Sequence, residues 1–407
     1  MSMAQDVRER AKSAAFKKAA FGEEIDFGLY RDQGRPHEYV FNLEELARAE
    51  QEDILKAGID VSGRGRTGTY IQKDHSVIHS SISQDGLEVL SITEALAKYP
   101  WLQDYYWKNV AVDADMYTAR AELHQEHGYF IRALPGVKTA FPVQACLYIT
   151  QEGLIQDVHN IVIAEEGSEL DLITGCATGH GVESGFHIGV SEFYVKRNAT
   201  VTFTMVHNWA ENVAVRPRTG VTVEEGGSYL SNFICMKPVR SLQMYPAATL
   251  LGANSLARFH SILVAPPGSH MDVGSRVILR GEKSRAEIIA RSATRGGYIM
   301  NRGHLLGETA GAKGHLECRG LMLSHQGVIA AVPELEARVD GVELSHEAAV
   351  GKIAEEEIEY LMARGLTEEE ATATIVRGFL NVKIMGLPPA LEEEVQRAIE
   401  LSEQSGL

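Results

Sequence analysis

Between about Phe130 and Glu347, short runs of Val, Ile, Leu and Phe alternate with glycine and small polar turns, and no amphipathic segment exceeds two helical turns. Within the runs the period is two, as in Val201-Thr202-Phe203-Thr204-Met205, the spacing of a strand with two distinct faces. A small or polar pair followed by an apolar residue recurs at Gly167-Ser168, Asn198-Ala199, Gly227-Ser228, Asn254-Ser255, Lys283-Ser284 and, more loosely, Ala312-Lys313. The second members of these pairs lie 27 to 31 residues apart. A near-constant period of that size marks stacked repeats, and repeats built of strands predict a β-solenoid. A sandwich or jelly roll also uses many short strands, but has no reason to hold this spacing over six units. The pattern predicts a mainly β chain whose β-helix core spans 129–347.

The flanks read differently. Residues 1–128 predict a helical or mixed region: Met3 to Phe21 is rich in Ala, Lys and Arg, and Leu43 to Lys56 is apolar at helical spacing. Ser91 and Glu94 have the spacing of a capping box. Tyr99, Trp101, Tyr105, Tyr106 and Trp107 read as a packing knot, because the basic groove of a base-stacking platform is missing. Residues 348–407 predict a helical domain. Ile358, Leu361 and Met362 share one face, Thr367 to Glu370 is a second capping box, and Ala371, Ile375, Val376, Phe379 and Leu380 follow at helical spacing. Pro388 and Pro389 break the chain before a last helix carrying Leu391, Val395 and Ile399. Such a tail either caps the open end of the solenoid or docks a partner.

Charge narrows the function. Thirty-nine Lys and Arg against 55 Asp and Glu leave −16, which argues against nucleic acid or an anionic membrane as partner. Half of that surplus lies in the tail, where residues 347–407 hold 13 Glu against five basic residues. No run approaches the ~20 apolar residues of a membrane span, and Met1 to Glu24 lacks the apolar stretch of a signal peptide, so a soluble, cytoplasmic protein is expected. The four cysteines, Cys146, Cys176, Cys235 and Cys318, include no CxxC pair. They fit neither a zinc ribbon, nor a four-cysteine iron–sulfur loop, nor a disulfide framework. No phosphate-binding G-x-x-x-x-G-K-[ST] loop is present, so any nucleotide hydrolysis belongs to another chain. The acids fall mostly in turns without an aspartate ladder, which weakens a polysaccharide-active β-helix.

Cysteine and histidine carry more chemistry. Cys318 shares a face with Leu316, Gly320 and Met322. Val342, Leu344 and His346 share one face of a later strand, and Glu343, Ser345 and Glu347 the other. His346 follows Cys318 by 28 residues, about one repeat, which would stack Cys318, His346 and Glu347 on adjacent rungs as a metal-ligand cluster, Cys-poor for zinc and short of a full shell; an inert buried cysteine is the alternative reading of Cys318. Cys176 extends the apolar face of Leu170, Leu172 and Thr174, with His187 eleven residues on. A histidine near a thiol can lower its pKa and make it a sulfur acceptor, although a packed core pair fits the same pattern.

At these positions the chain resembles the SufB/SufD scaffold proteins of iron–sulfur cluster assembly. The resemblance covers most of the sequence: Ser62 to Val77, Asp104 to Thr118, Gly128 to Val137, Thr174-Gly175-Cys176 and His207-Asn208-Trp209. It is most specific at Ser345 to Ile353 and Tyr360 to Leu366, with the helix from Thr367 to Ala371. It implies a right-handed parallel β-helix flanked by helical domains. SufB-type members have a cysteine at Cys318 and a glutamate at Glu347, implicated in holding the nascent cluster at the B–D interface; SufD-type members have a histidine at His346. A chain with all three could supply both halves of the site as a homodimer through the β-helix edge. Cys176 matches the cysteine that receives sulfane sulfur, and His187 matches a histidine on the sulfur route inside the β-helix. The tail matches the region that docks a SufC-like ABC ATPase, through which alone ATP would act; a flavin requirement is left open.

Two departures bear on this. No cysteine precedes Cys146, whereas many bacterial SufB proteins carry a cysteine-rich N-terminal motif. Tyr148, Val158 and His159 stand where the familiar bacterial proteins have charged residues. The chain resembles the shorter, minimal systems in which one B-like protein pairs with one ATPase. The expected function is a scaffold for a transient Fe–S cluster; a SufD-like structural subunit needing a separate B chain is the alternative.

Overall fold

Each repeat folds as two strands facing one another across the core, joined by a tight turn. Glu169–Thr178 lies in one sheet, Ser184–Val195 in the other, and Thr200–Asn208 returns to the first, directly beside Glu169–Thr178 and parallel to it. Repeated along the chain, this winding gives a solenoid with a ten-stranded and an eleven-stranded face, mainly β in content. The computed structural model describes residues 3–124 and 127–380. The last helix expected around Leu391, Val395 and Ile399 lies outside the described residues.

The turn signal in the sequence has a conformational cause. Gly167, Asn198, Gly226, Asn254, Lys283, Gly311 and Gly341 all have positive φ, one per coil. Glycine and asparagine tolerate that left-handed conformation better than other residues. The residue that follows is small and fully buried at Ser168, Ala199, Ser255, Ser284 and Ala312. The last of these sits one residue earlier than the loose Ala312-Lys313 match, and the series continues once more at Gly341.

The N-terminal region holds more strand than its pattern suggests. Gly68–Lys73 pairs in parallel with Val143–Ile149 and is closed by the antiparallel strand Ser76–Ile82. Leu87–Ser91 closes the other sheet against Tyr129–Ala133. These short strands cover the first edges of both sheets, which would otherwise offer unpaired backbone. The helices are Met3–Ser13, Arg48–Lys56, Ile92–Lys98 and Met116–His124, and the Ser91–Glu94 capping box forms. The aromatic knot packs: Tyr105 meets Tyr194 with ring centroids 4.8 Å apart, and Tyr106 stacks on His159 at 4.6 Å.

Among the described residues the other end is open. Val328–Ala337 and Glu343–Lys352 are the last strands of the two sheets among the described residues, and burial falls away along both. The final strand runs through position 347 to Lys352, because it stays in register with Lys313–Met322 over its full length. Glu355–Met362 then forms a helix with no buried residue. The helix Glu368–Leu380 packs Val376 and Leu380 against Ile234, Ile262, Val264 and Leu321, on the flank of the solenoid rather than over its last rung. No helix among the described residues is long and apolar enough to cross a membrane.

Candidate functional site

Cys318 lies on the strand Lys313–Met322, 2% exposed, with Leu316 on the same inner face. Its cross-strand neighbours are Ala290 on one side and Ala348 on the other, so small side chains leave space along the stack. Burial and then the charge of Glu317 push the thiol up to about 11. His346 stands opposite Leu316, which makes it the diagonal neighbour of Cys318 one rung on, with backbones ~7 Å apart. The register offset between these strands is 30 residues rather than 28. His346 Nε2 is buried and has no hydrogen-bond partner among the described residues.

Glu347 points the other way. It faces outward, exposed, directly opposite Glu317. Two of the three residues expected to bind metal therefore share the inner face of the last rungs, and the third stands on the outer face of the same strand. Strand alternation explains the split, since consecutive residues cannot share a face.

Cys176 is also an inner-face residue, 1% exposed, on Glu169–Thr178. Its thiol is held well above its ordinary value, by burial first and by Cys146 second. The suggestion that a histidine lowers this pKa therefore fails. The nearby histidines are neutral: burial takes His187 down to about 3, and takes His207 well below its usual range with a further contribution from His187. A neutral ring supplies no cation to stabilise a thiolate. His187 Nδ1 is 3.0 Å from Gln156 Oε1, and its ring lies 5.2 Å from that of Trp209.

The direct neighbour of Cys176 on the next rung is His207, and the direct neighbour of His207 is Cys235. These three form one interior file. Both ring nitrogens of His207 and Nε1 of Trp209 are buried without a hydrogen-bond partner among the described residues. Sequence reasoning noted these residues but gave them no role, although the signal was there. One repeat added to Cys176 lands on His207, and one more on Cys235. From the Cys176 strand to the Cys318 strand is five rungs, or ~24 Å. Of the departures from the bacterial pattern, Tyr148 and His159 face outer packing, with Tyr148 bonded to Asp53 and His159 to Glu192, while Val158 faces the core.

The fold is thus a β-solenoid with thiols and imidazoles buried along its interior. The family model described as SUF system FeS cluster assembly, SufBD core domain, matches residues 147–379. A Methanothermobacter thermautotrophicus protein described as an iron–sulfur cluster assembly SufBD family protein is 50% identical over 406 residues, covering 98% of this chain and 99% of that one. One from Archaeoglobus fulgidus is 51% identical over 355 residues, covering 87% of this chain and 95% of that one. One from Pyrococcus horikoshii is 32% identical over 377 residues, covering 91% and 84%. The chain belongs to the SufBD family of iron–sulfur cluster assembly proteins.

Proposed function

We propose that this chain is the scaffold on which an Fe–S cluster is first assembled. The observation that supports the reading is the placement of Cys318 and His346 as diagonal neighbours on the inner face of adjacent rungs, at the last strands among the described residues. Sulfur enters at Cys176 and passes along the interior by way of His187. Iron and sulfide meet at Cys318 and His346, with a Glu347 carboxylate contributed across the interface between two copies, since within one chain it faces the other way; the transient cluster is cargo rather than a resident cofactor. Thiolates hold soft metal clusters, while histidine and carboxylate ligands exchange more readily and favour release. Sulfur delivered as persulfide needs a two-electron reductant before it becomes bridging sulfide.

A second copy of the chain, meeting the exposed strands Val328–Ala337 and Glu343–Lys352, completes the site. The right-handed winding expected of the family goes with this reading. An ABC-type ATPase docks on the tail between Ala354 and Leu380, and ATP acts only through it. All of this takes place in the cytoplasm. The test is anaerobic reconstitution of the full chain with its ATPase, Fe²⁺ and a sulfide source, followed by visible and Mössbauer spectra. The cluster forms on the wild type and is absent from Cys318→Ser. A full cluster yield from well-folded Cys318→Ser refutes the reading, and a folded wild-type complex that forms no cluster points to a structural subunit needing a B-like partner.

A further inference from the structure

The outer face of the last strands carries a second set of donors. His315, Glu317 and Glu347 bring an imidazole nitrogen and two carboxylate oxygens within 4.8 Å of one another. Register creates the group: Glu317 is directly opposite Glu347, and His315 is two residues before Glu317, hence on the same face. Like charges directly opposite in a sheet repel, so a cation between them offsets a cost the fold otherwise carries.

The surroundings orient the donors. Arg291 and Arg319 both hold Glu317 through Oε1. That leaves Oε2, which lies 4.0 Å from His315 Nε2. His315 Nδ1 is in turn 2.9 Å from Ser345 Oγ. This fixes the ring with Nε2 turned to the carboxylates, the outer-shell arrangement that positions ligand histidines. Glu317 is only 9% exposed, a burial that its pairing with the two arginines sustains. His315 and Ser345 also line an outer groove of about 940 Å³, so the group is open to solvent. The imidazole, with its nitrogen fixed from outside, separates this group from an ordinary acidic patch.

We propose that His315, Glu317 and Glu347 bind a first-row divalent cation. One imidazole with two carboxylates suits Fe²⁺, Mn²⁺ or Zn²⁺ better than a thiophilic ion. That the ion is Fe²⁺ awaiting assembly rests on the scaffold reading above. The two arginines offset the carboxylate charge, which makes the ion exchangeable rather than resident. Glu317 and Cys318 are consecutive and face opposite ways, so iron is held on the outside of the strand whose inner face carries the thiol. Glu347 is then the residue common to the iron-loading and cluster-holding steps.

Mn²⁺ is the redox-stable probe, followed by loss of the free-ion EPR signal on anaerobic titration of the full chain, with Fe²⁺ checked by equilibrium dialysis. The wild type takes up one ion per chain. Ser345→Ala, which removes only the outer-shell bond, weakens binding about tenfold, and His315→Ala weakens it further. Circular dichroism and melting show whether Glu317→Gln stays folded once its arginines lose their partner; the solvent-facing His315→Ala tests the site independently of that. No uptake by the wild type, or unchanged uptake by folded His315→Ala, overturns the proposal. Loss of uptake in Cys318→Ser with His315→Ala intact also overturns it, since the thiol would then be the ligand. Uptake that follows His315 without any cluster on reconstitution leaves this site standing and refutes the scaffold reading instead.

Discussion

His207 stands in register beside Cys176, one rung along the solenoid, and neither of its ring nitrogens has a hydrogen-bond partner among the described residues. An unsatisfied buried polar group costs about 1–3 kcal/mol. The interior keeps that cost at His207 and again at Trp209 Nε1, whose ring lies 5.6 Å from that of His207. An apolar core of the same shape would be more stable.

His187 gives a pH signature. Burial lowers its pKa from 6.5 to about 3, so between those values the unfolded chain binds a proton that the folded chain does not. Its stabilising contribution is full above pH 6.5 and is lost as the pH falls toward 3, at about 1.4 kcal/mol per unit. His207 is displaced in the same direction. Urea unfolding at pH 7 and pH 5 should lose about 2 kcal/mol more in the wild type than in His187→Gln. Equal losses in the two proteins would contradict a neutral, buried His187.

The raised pKa of Cys176 predicts an inert thiol in the resting fold. Iodoacetamide at pH 8 should modify Cys176 at least about tenfold more slowly in the native chain than in urea, by peptide mass spectrometry. Sulfur acceptance then requires an opening of the solenoid or a donor that displaces what covers the thiol. Fast native labelling would show that burial does not control the thiol.

Much of this was legible in the sequence because a solenoid repeats its constraints. A turn that needs positive φ at Gly167 needs it again at Asn198 and Asn254, so one local rule is written many times. The faces of Cys176, Cys318 and His346 followed from alternation alone. Gly68–Lys73 and its antiparallel partner escaped, because a single cap is not repeated and its pairing is non-local. The split between His346 and Glu347 was readable, but the consequence was not. Which residues meet Glu347 depends on the register of two strands, and a shift from 28 to 30 residues moves the partner of Cys318 from His346 to Ala348. The group of His315, Glu317 and Glu347 depends on that same register.

Lys283 has φ of 58° at a turn where other coils use glycine or asparagine. A lysine there carries the steric cost of the left-handed region, about 1–2 kcal/mol. Lys283→Gly should raise the unfolding free energy by about 1 kcal/mol, the remainder being lost to the greater freedom of glycine in the unfolded chain. A lower urea midpoint would mean that the lysine stem packs usefully along the groove.

Tyr360 and Met362 are 57% and 42% exposed on a helix that buries none of its residues. If this helix docks the ATPase, replacing both with alanine should weaken capture of the ATPase several-fold while leaving the melting temperature unchanged. Truncation is a poorer test, because it also uncovers Ile234, Ile262 and Val264 beneath Val376 and Leu380.

The open end offers the last test. Val350 lies on the final strand, 47% exposed, in register with Gly320. An exposed apolar residue on a terminal strand invites edge pairing, and a second copy would cover it together with Val328 and Leu335. Light scattering should find the wild type dimeric and Val350→Glu monomeric, since a charge brought into an apolar interface has no partner there. Reconstituted cluster should fall with the dimer, although Cys318 and His346 remain intact in every chain. A monomeric wild type that builds a full cluster would place the whole ligand set within one chain, and Glu347 would then have to be replaced in it by a residue on the inner face.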